Sequence, residues 1–134
     1  MKKVLFLCTH NSARSQMAEA LLNHLYGDRY RAYSAGTAPS GVNPYAVSVM
    51  AEIGIDISKN RSKSLDEFRG EEFDHVVTLC EGAKESCPFF EGGKVHLHRG
   101  FQDPSSVEGS EEAILEAFRR VRDEIRSWLV ETFG

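Results

Sequence analysis

The first twenty residues constrain this chain more tightly than any other stretch. Val4-Leu5-Phe6-Leu7 is a short, unbroken apolar run of the kind that makes a strand buried on both faces. From about Ser12 to Tyr26 the period becomes helical, with Met17, Leu21, Leu22 and Leu25 on one side. The junction is a short turn that opens on Cys8 and closes on Arg14 and Ser15. A strand that feeds a helix through so short a turn aims the turn's N–H groups, and the positive helix end, into one concavity. Thr9, His10, Asn11, Ser12, Ala13, Arg14 and Ser15 therefore form an oxyanion-binding loop. A cysteine at its floor is expected as the thiolate, because cation and dipole both favour the charged form. Arg14 adds a planar fork of donors suited to two oxygens of a tetrahedral anion. A lone cysteine ending a buried strand reads as a small hydrophobe. The coincidence of Cys8 with Arg14 and Ser15 at a strand-to-helix junction points instead to a nucleophile under a phosphate-shaped oxyanion.

The remaining pattern alternates strands with helices. Gly27 is placed to cap the first helix in the left-handed region. Arg31–Ala35 reads as the second strand, ending at Gly36. Asn43-Pro44 opens a helix with Val47, Met50, Ala51 and Ile53 on its apolar face, and Gly54 ends it. Ser64 to Phe68 reads as a shorter helix with Ser64 and Glu67 spaced as a capping box. Phe73–Leu79 is a buried strand and Lys94–Leu97 the last one, after a turn at Gly92-Gly93. The long helix from about Ser110 to Thr132 carries Ile114, Phe118, Val121, Ile125, Trp128 and Leu129 at steps of three and four, a core stripe. This order predicts an α/β three-layer sandwich, a four-stranded parallel sheet flanked by helices, with residues 1–134 as one domain. In such sheets ligands bind beyond the carboxyl ends of the strands, which puts Cys8 and Cys80 on one rim.

Cys80 and Cys87 bracket a segment that, as a helix, holds its two thiols on one face but roughly 10 Å apart along the axis. A disulfide needs Cα atoms within about 7 Å. A Cys80–Cys87 bond therefore requires the segment to unwind, and Gly82 and Pro88 make it a marginal helix. This spacing suggests a redox switch that presents its disulfide to an external reductant. Two plainer readings compete: buried apolar cysteines, or metal ligands joined by His75, His96 and His98. The wide gap between the cysteines lies outside the common zinc spacings, and His96 and His98 fit one face of a strand, so no metal site is expected. Asp103-Pro104, in the loop before the long helix, is ordinary turn chemistry when taken alone. Over a Cys8/Arg14 site, Asp103 becomes the candidate general acid for a departing oxygen.

The net charge of −4 leaves no basic stripe for nucleic acid. Lys2 and Lys3 precede an apolar run that stops at Cys8, too short for a signal peptide, and no stretch is long enough to span a membrane. A cytoplasmic monomer is expected, with its three cysteines reduced at rest.

Cys8-Thr9-His10-Asn11-Ser12-Ala13-Arg14-Ser15 resembles the CX5R(S/T) loop of the low-molecular-weight tyrosine phosphatases, and Asp103-Pro104 matches their late acid loop. Ser15–Ala20, Ser34-Ala35-Gly36, Gly41–Pro44, Ile55–Ser58, Val76–Cys80 and Arg120–Ile125 resemble the thioredoxin-coupled arsenate reductases of that fold. The Cys8, Cys80, Cys87 triad is the most specific element, since simple phosphatases of the fold lack the later pair. The resemblance implies reduction of arsenate to arsenite. Cys8 attacks the arsenate held by the loop and Arg14 while Asp103 protonates the leaving oxygen. Cys80 then attacks Cys8, Cys87 attacks Cys80, and reduced thioredoxin restores the Cys80–Cys87 pair with no bound cofactor. It also implies that Ser15 hydrogen-bonds the Cys8 thiolate, that Asn11 braces the loop, and that phosphate and sulfate compete. The alternative is a phosphatase acting on phosphoesters through a Cys8 phospho-enzyme. A third reading, a non-catalytic arsenite or metal sensor, needs tight uptake by the three thiols. Some relatives carry a cysteine where this chain has Ala13. Some bind potassium through residues matching Asn11, Glu19 and Ser34 plus an aspartate, whose place here falls to Lys63. An ammonium standing in for that ion implies no potassium dependence.

Overall fold

A computed structural model of the chain describes residues 1–81 and 88–134. The elements run β1 (Lys2–Cys8), α1 (Arg14–Tyr26), β2 (Tyr30–Gly36), α2 (Pro44–Ala51), β3 (Phe73–Thr78), β4 (Gly93–His98) and α3 (Glu111–Phe133). Short 3-10 turns cover Leu65–Phe68 and Pro104–Ser106. The four strands form one parallel sheet in the order β2-β1-β3-β4. β1, the apolar run of the sequence, lies inside the sheet, and its residues from Val4 to Leu7 are wholly buried.

Alternation along β1 divides the core. Val4 and Phe6 face one side and pack with Met17, Leu21 and Leu22 of α1, Val49 and Met50 of α2, and Phe118, Val121 and Ile125 of α3. Leu5 and Leu7 face the other side, with Leu65, Phe68, Phe73, Val76 and Phe90. α1, α2 and α3 thus gather on one face, and the Leu65–Phe68 turn packs on the other. The α3 stripe is core as expected, and the structure adds Arg122 to it. Its guanidinium is buried and donates to the Val49 carbonyl (2.8 Å) and to Glu52 (2.8 Å), which ties α3 to the end of α2.

Three local expectations are corrected. α1 begins at Arg14, two residues later than expected, because the carbonyls of Thr9, His10 and Ser12 are occupied by bonds from residues 38–43. Gly27 sits in the right-handed region (φ −62°), so its service is not a left-handed cap; a Cβ there would press on the Asn23 carbonyl. Ser64 caps its 3-10 turn through the N–H of Asp66. Glu67 turns outward to Arg61 (2.7 Å), so no capping box forms. The other caps stand: Asn43 accepts from the N–H of Tyr45, and Ser110 from that of Ala113.

Gly36, the last residue of β2, is the contact through which the sheet shapes the loop after β1. A Cβ on Gly36 would lie 2.6 Å from the Thr9 carbonyl oxygen, 2.8 Å from that of Cys8 and 2.9 Å from the Asn11 nitrogen. All three are backbone atoms, which have no rotamer with which to yield. Gly36→Ala is expected to cost about 2 kcal/mol of stability through overpacking and to displace the loop. Chemical denaturation together with the rate of Cys8 alkylation measures both; a variant with unchanged midpoint and unchanged alkylation contradicts it.

Candidate active site

The loop from Cys8 to Ser15 is held from beneath by side chains rather than by its own backbone. Asn11 adopts φ +48°, a left-handed geometry that asparagine tolerates better than most residues. Its side-chain amide donates to Ser15 Oγ (2.8 Å), and its Oδ1 accepts from the Lys63 N–H (2.8 Å) and from Gln16 Nε2 (3.0 Å). Gln16 also donates to the carbonyls of Asn11 (3.2 Å) and Arg61 (3.0 Å). Ser15 Oγ lies 2.9 Å from Cys8 Sγ. With the Asn11 amide donating to that hydroxyl, its own hydrogen is free to point at the sulfur, so Ser15 is the donor to a Cys8 thiolate. Cys8, Asn11, Ser15 and Gln16 are all buried.

Above the loop, residues 36–43 form a wall. Ala38 N–H donates to the Thr9 carbonyl (2.9 Å), Ser40 N–H to that of His10 (3.2 Å) and Asn43 N–H to that of Ser12 (3.0 Å). These bonds take up loop carbonyls, which leaves the loop's N–H side for an anion. A cleft of about 300 Å³ opens here. It is lined by Cys8, His10 and Arg14 from the loop, by residues 40–44, and by Asp103 and Ser105.

Arg14 is 3% exposed and joins the two ends of the site. One guanidinium nitrogen donates to the Phe101 carbonyl (3.1 Å), and another stands 3.8 Å from Asp103 Oδ2. Asp103 Oδ1 accepts from the Ser105 N–H (3.0 Å) and hydroxyl (2.7 Å), which caps the Pro104–Ser106 turn and fixes the carboxyl over the cleft. The turn chemistry suggested by sequence thus falls to Oδ1, while Oδ2 faces Arg14 across the cleft.

Cys80 is buried immediately beyond β3 and is disulfide-bonded, whereas Cys8 is a free thiol. Cys87 and the switch segment expected before it lie outside the described residues. Leu7 pairs with Thr78 in the β1–β3 ladder, and the Leu79 N–H donates to the Leu7 carbonyl (2.9 Å). Cys80 is thus staggered by one residue from the partner of Cys8. Cys80 therefore follows the end of the strand next to that of Cys8, on the same rim of the sheet. Asp103, at the far end of the sequence, joins the same rim through the Phe101 N–H bond to the Leu79 carbonyl (3.0 Å). His96 and His98 share one face of β4, His96 stacked on Phe89 and His98 bonded to Thr78 (2.8 Å).

Residues 3–132 match the family of low molecular weight phosphotyrosine protein phosphatases. The chain belongs to this family. Within the curated relatives, an arsenate reductase of Halalkalibacterium halodurans is 49% identical over 92% of this chain and 89% of its own length. Among solved structures, an arsenate reductase in its phosphate-binding state matches with a TM-score of 0.79 at 32% identity, covering 98% of this chain and 95% of that one. A thioredoxin-dependent arsenate reductase of Corynebacterium glutamicum matches with a TM-score of 0.61 at 32% identity, over 98% of this chain and 64% of its own. Among the described residues, the cleft lining holds no phenyl, phenol or indole ring.

The sequence did not reveal the supporting residues: Gln16, the carbonyl of Arg61, the backbone of Lys63 and the 36–40 wall. Only Gly36 carried a legible signal, a glycine closing a strand. Near this support, Ser34 donates to Glu19 (3.0 Å). Burial pushes the Glu19 carboxyl up, while the Lys63 ammonium and the Ser34 bonds pull it back. Lys63 Nζ itself donates to the Arg61 carbonyl (3.0 Å). An ammonium already acting on Glu19 supplies positive charge where a bound potassium needs negative charge, so these residues do not fit the ion. Replacing potassium with tetramethylammonium at fixed ionic strength is expected to leave turnover unchanged; a several-fold stimulation by potassium overturns this.

Proposed function

We propose that this chain reduces arsenate to arsenite through a thiol relay from Cys8 to Cys80 to Cys87, with reduced thioredoxin as electron donor and no bound cofactor. The observation that carries this over simple phosphoester hydrolysis is the one-residue stagger between Cys8 and Cys80 at the ends of adjacent parallel strands. A phosphatase has no use for a second cysteine there. The arsenate reductases among its relatives support the same reading.

The loop N–H groups and Arg14 hold the oxyanion, and the Cys8 thiolate attacks arsenic. Asp103 gives a proton to the departing oxygen, which leaves as water, and a bond between Cys8 sulfur and arsenic(V) results. Cys80 as thiolate then attacks Cys8 sulfur. The electron pair of the sulfur–arsenic bond passes to arsenic, arsenite leaves, and a Cys8–Cys80 disulfide remains. Cys87 attacks Cys80 and frees Cys8, and a thioredoxin dithiol reduces the Cys80–Cys87 bond, becoming a disulfide itself. Ser15 steadies the Cys8 thiolate when it attacks and when it leaves. Phosphate and sulfate compete for the cradle. In this proposal the chain acts as a single-domain cytoplasmic monomer.

Hydrolysis of small phosphoesters through a Cys8 phospho-enzyme is the second reading, favoured by the same Cys8, Arg14 and Asp103 geometry. Cys80→Ser and Cys87→Ser are expected to abolish thioredoxin-coupled arsenate turnover while leaving p-nitrophenyl phosphate hydrolysis near its starting value. Cys8→Ser is expected to lower both by at least about a thousandfold. Arsenate reduction that persists in either of the first two variants sinks the relay.

A further inference from the structure

We infer that His10 recognises the hydroxyl of a protonated oxyanion, so that the cradle prefers the monohydrogen dianions of arsenate and phosphate to sulfate; this rests on the oxyanion site proposed above. His10 follows Thr9 in the loop and lines the cleft with Cys8, Arg14 and Asp103. Ring Nδ1 lies 3.0 Å from the Ala38 carbonyl oxygen. A carbonyl oxygen only accepts, so the hydrogen bond assigns the proton to Nδ1 and leaves the lone pair of the neutral ring on Nε2. Nε2 has no hydrogen-bond partner among the described residues.

The ring is held in place. The His10 carbonyl accepts from Ser62 Oγ (2.9 Å) and from the Ser40 N–H (3.2 Å), and the neighbouring Thr9 carbonyl accepts from the Ala38 N–H (2.9 Å). Main chain and side chain of His10 are therefore both tied to the 38–40 wall, and swinging the imidazole away would break its bond to Ala38.

The donors of the cradle cannot tell these dianions apart. Backbone N–H groups and the Arg14 guanidinium are donors only, and donors serve any tetrahedral dianion equally. Serine hydroxyls rotate to donate or accept as required. Above neutral pH, monohydrogen phosphate and arsenate keep one O–H, whereas sulfate has none. That hydroxyl needs an acceptor. The Cys8 sulfur accepts from Ser15 and faces the central atom it attacks, and Asp103 Oδ1 already takes two bonds from Ser105 while its Oδ2 faces Arg14. The serine hydroxyls serve either anion, whereas Nε2 of His10 is a fixed acceptor: it meets the O–H of phosphate or arsenate and faces a bare oxygen of sulfate unpaired, which turns the contact into selectivity.

The test follows anion occupancy without any turnover. Fully reduced full-length protein is alkylated at pH 8.5, above the range in which histidine side chains change charge. Protection of Cys8 by inorganic phosphate and by sulfate is then read by peptide mass. Wild type should be half-protected by several-fold less phosphate than sulfate. His10→Asn keeps an N–H for the Ala38 carbonyl but removes Nε2. It should need about five- to tenfold more phosphate, with its sulfate requirement unchanged to within about twofold. Unchanged sulfate protection doubles as the sign that the loop remains folded. No preference in wild type, equal shifts for the two anions, loss of protection by both, or a preference erased by Asp103→Asn and kept by His10→Asn overturns the inference. Wild-type Cys8 that neither anion protects overturns the oxyanion site itself.

Discussion

Everything at this site hangs on the buried Asn11 amide. One side chain in a left-handed turn satisfies Ser15, Gln16 and the backbone of Lys63 at once. Ser15, so oriented, is what meets the Cys8 sulfur. A loop that offers its N–H groups to a ligand cannot also use them to hold itself together. It needs scaffolding from elsewhere, and buried polar groups are costly unless each is satisfied. The network under Cys8 meets that condition with contributions from α1 and from residues 60–63, far along the chain.

The sheet then decides which distant residues can collaborate. β1 lies between β2 and β3. Gly36, at the end of β2, lets the neighbouring backbone close against the loop. Leu79, just past β3, extends the ladder to Leu7 and carries Cys80 to the rim. Phe101 continues the pattern with its own bond to Leu79, bringing Asp103 over the cleft. Cys8 and Cys80 thus follow the ends of two adjacent strands, and Asp103 lies in the loop beyond the third. This is the familiar placement of ligands at the carboxyl edge of such sheets, arrived at here through individual hydrogen bonds.

Much of this was legible in the sequence because it is local. The buried run Val4–Leu7, the helix after the loop, the Asn43-Pro44 start and the α3 stripe each follow from period and capping chemistry. The cluster of Cys8, Arg14 and Ser15 was legible because three side chains of matched chemistry share one turn. The support was hidden for the opposite reason. Gln16 lies on the helix among residues that look like ordinary surface, and its partner is a main-chain oxygen of Arg61, which no side-chain pattern encodes. Gly27 misled because a glycine after a helix has two explanations, a left-handed turn or a close approach, and sequence alone favours the commoner one. Glu67 misled because a nearby Arg61 outcompeted the backbone N–H that a capping box requires.

Arg14 serves two parts of the site at once. The same guanidinium that faces the anion also grips the carbonyl of Phe101, two residues before the acid. One rigid fork therefore spans from the floor of the cleft to the segment that carries Asp103. Under the proposed chemistry, an oxyanion on that fork and the carboxyl meant to give it a proton would share a single support, as two pans share one beam. Any change that shifts Arg14 would then disturb both together.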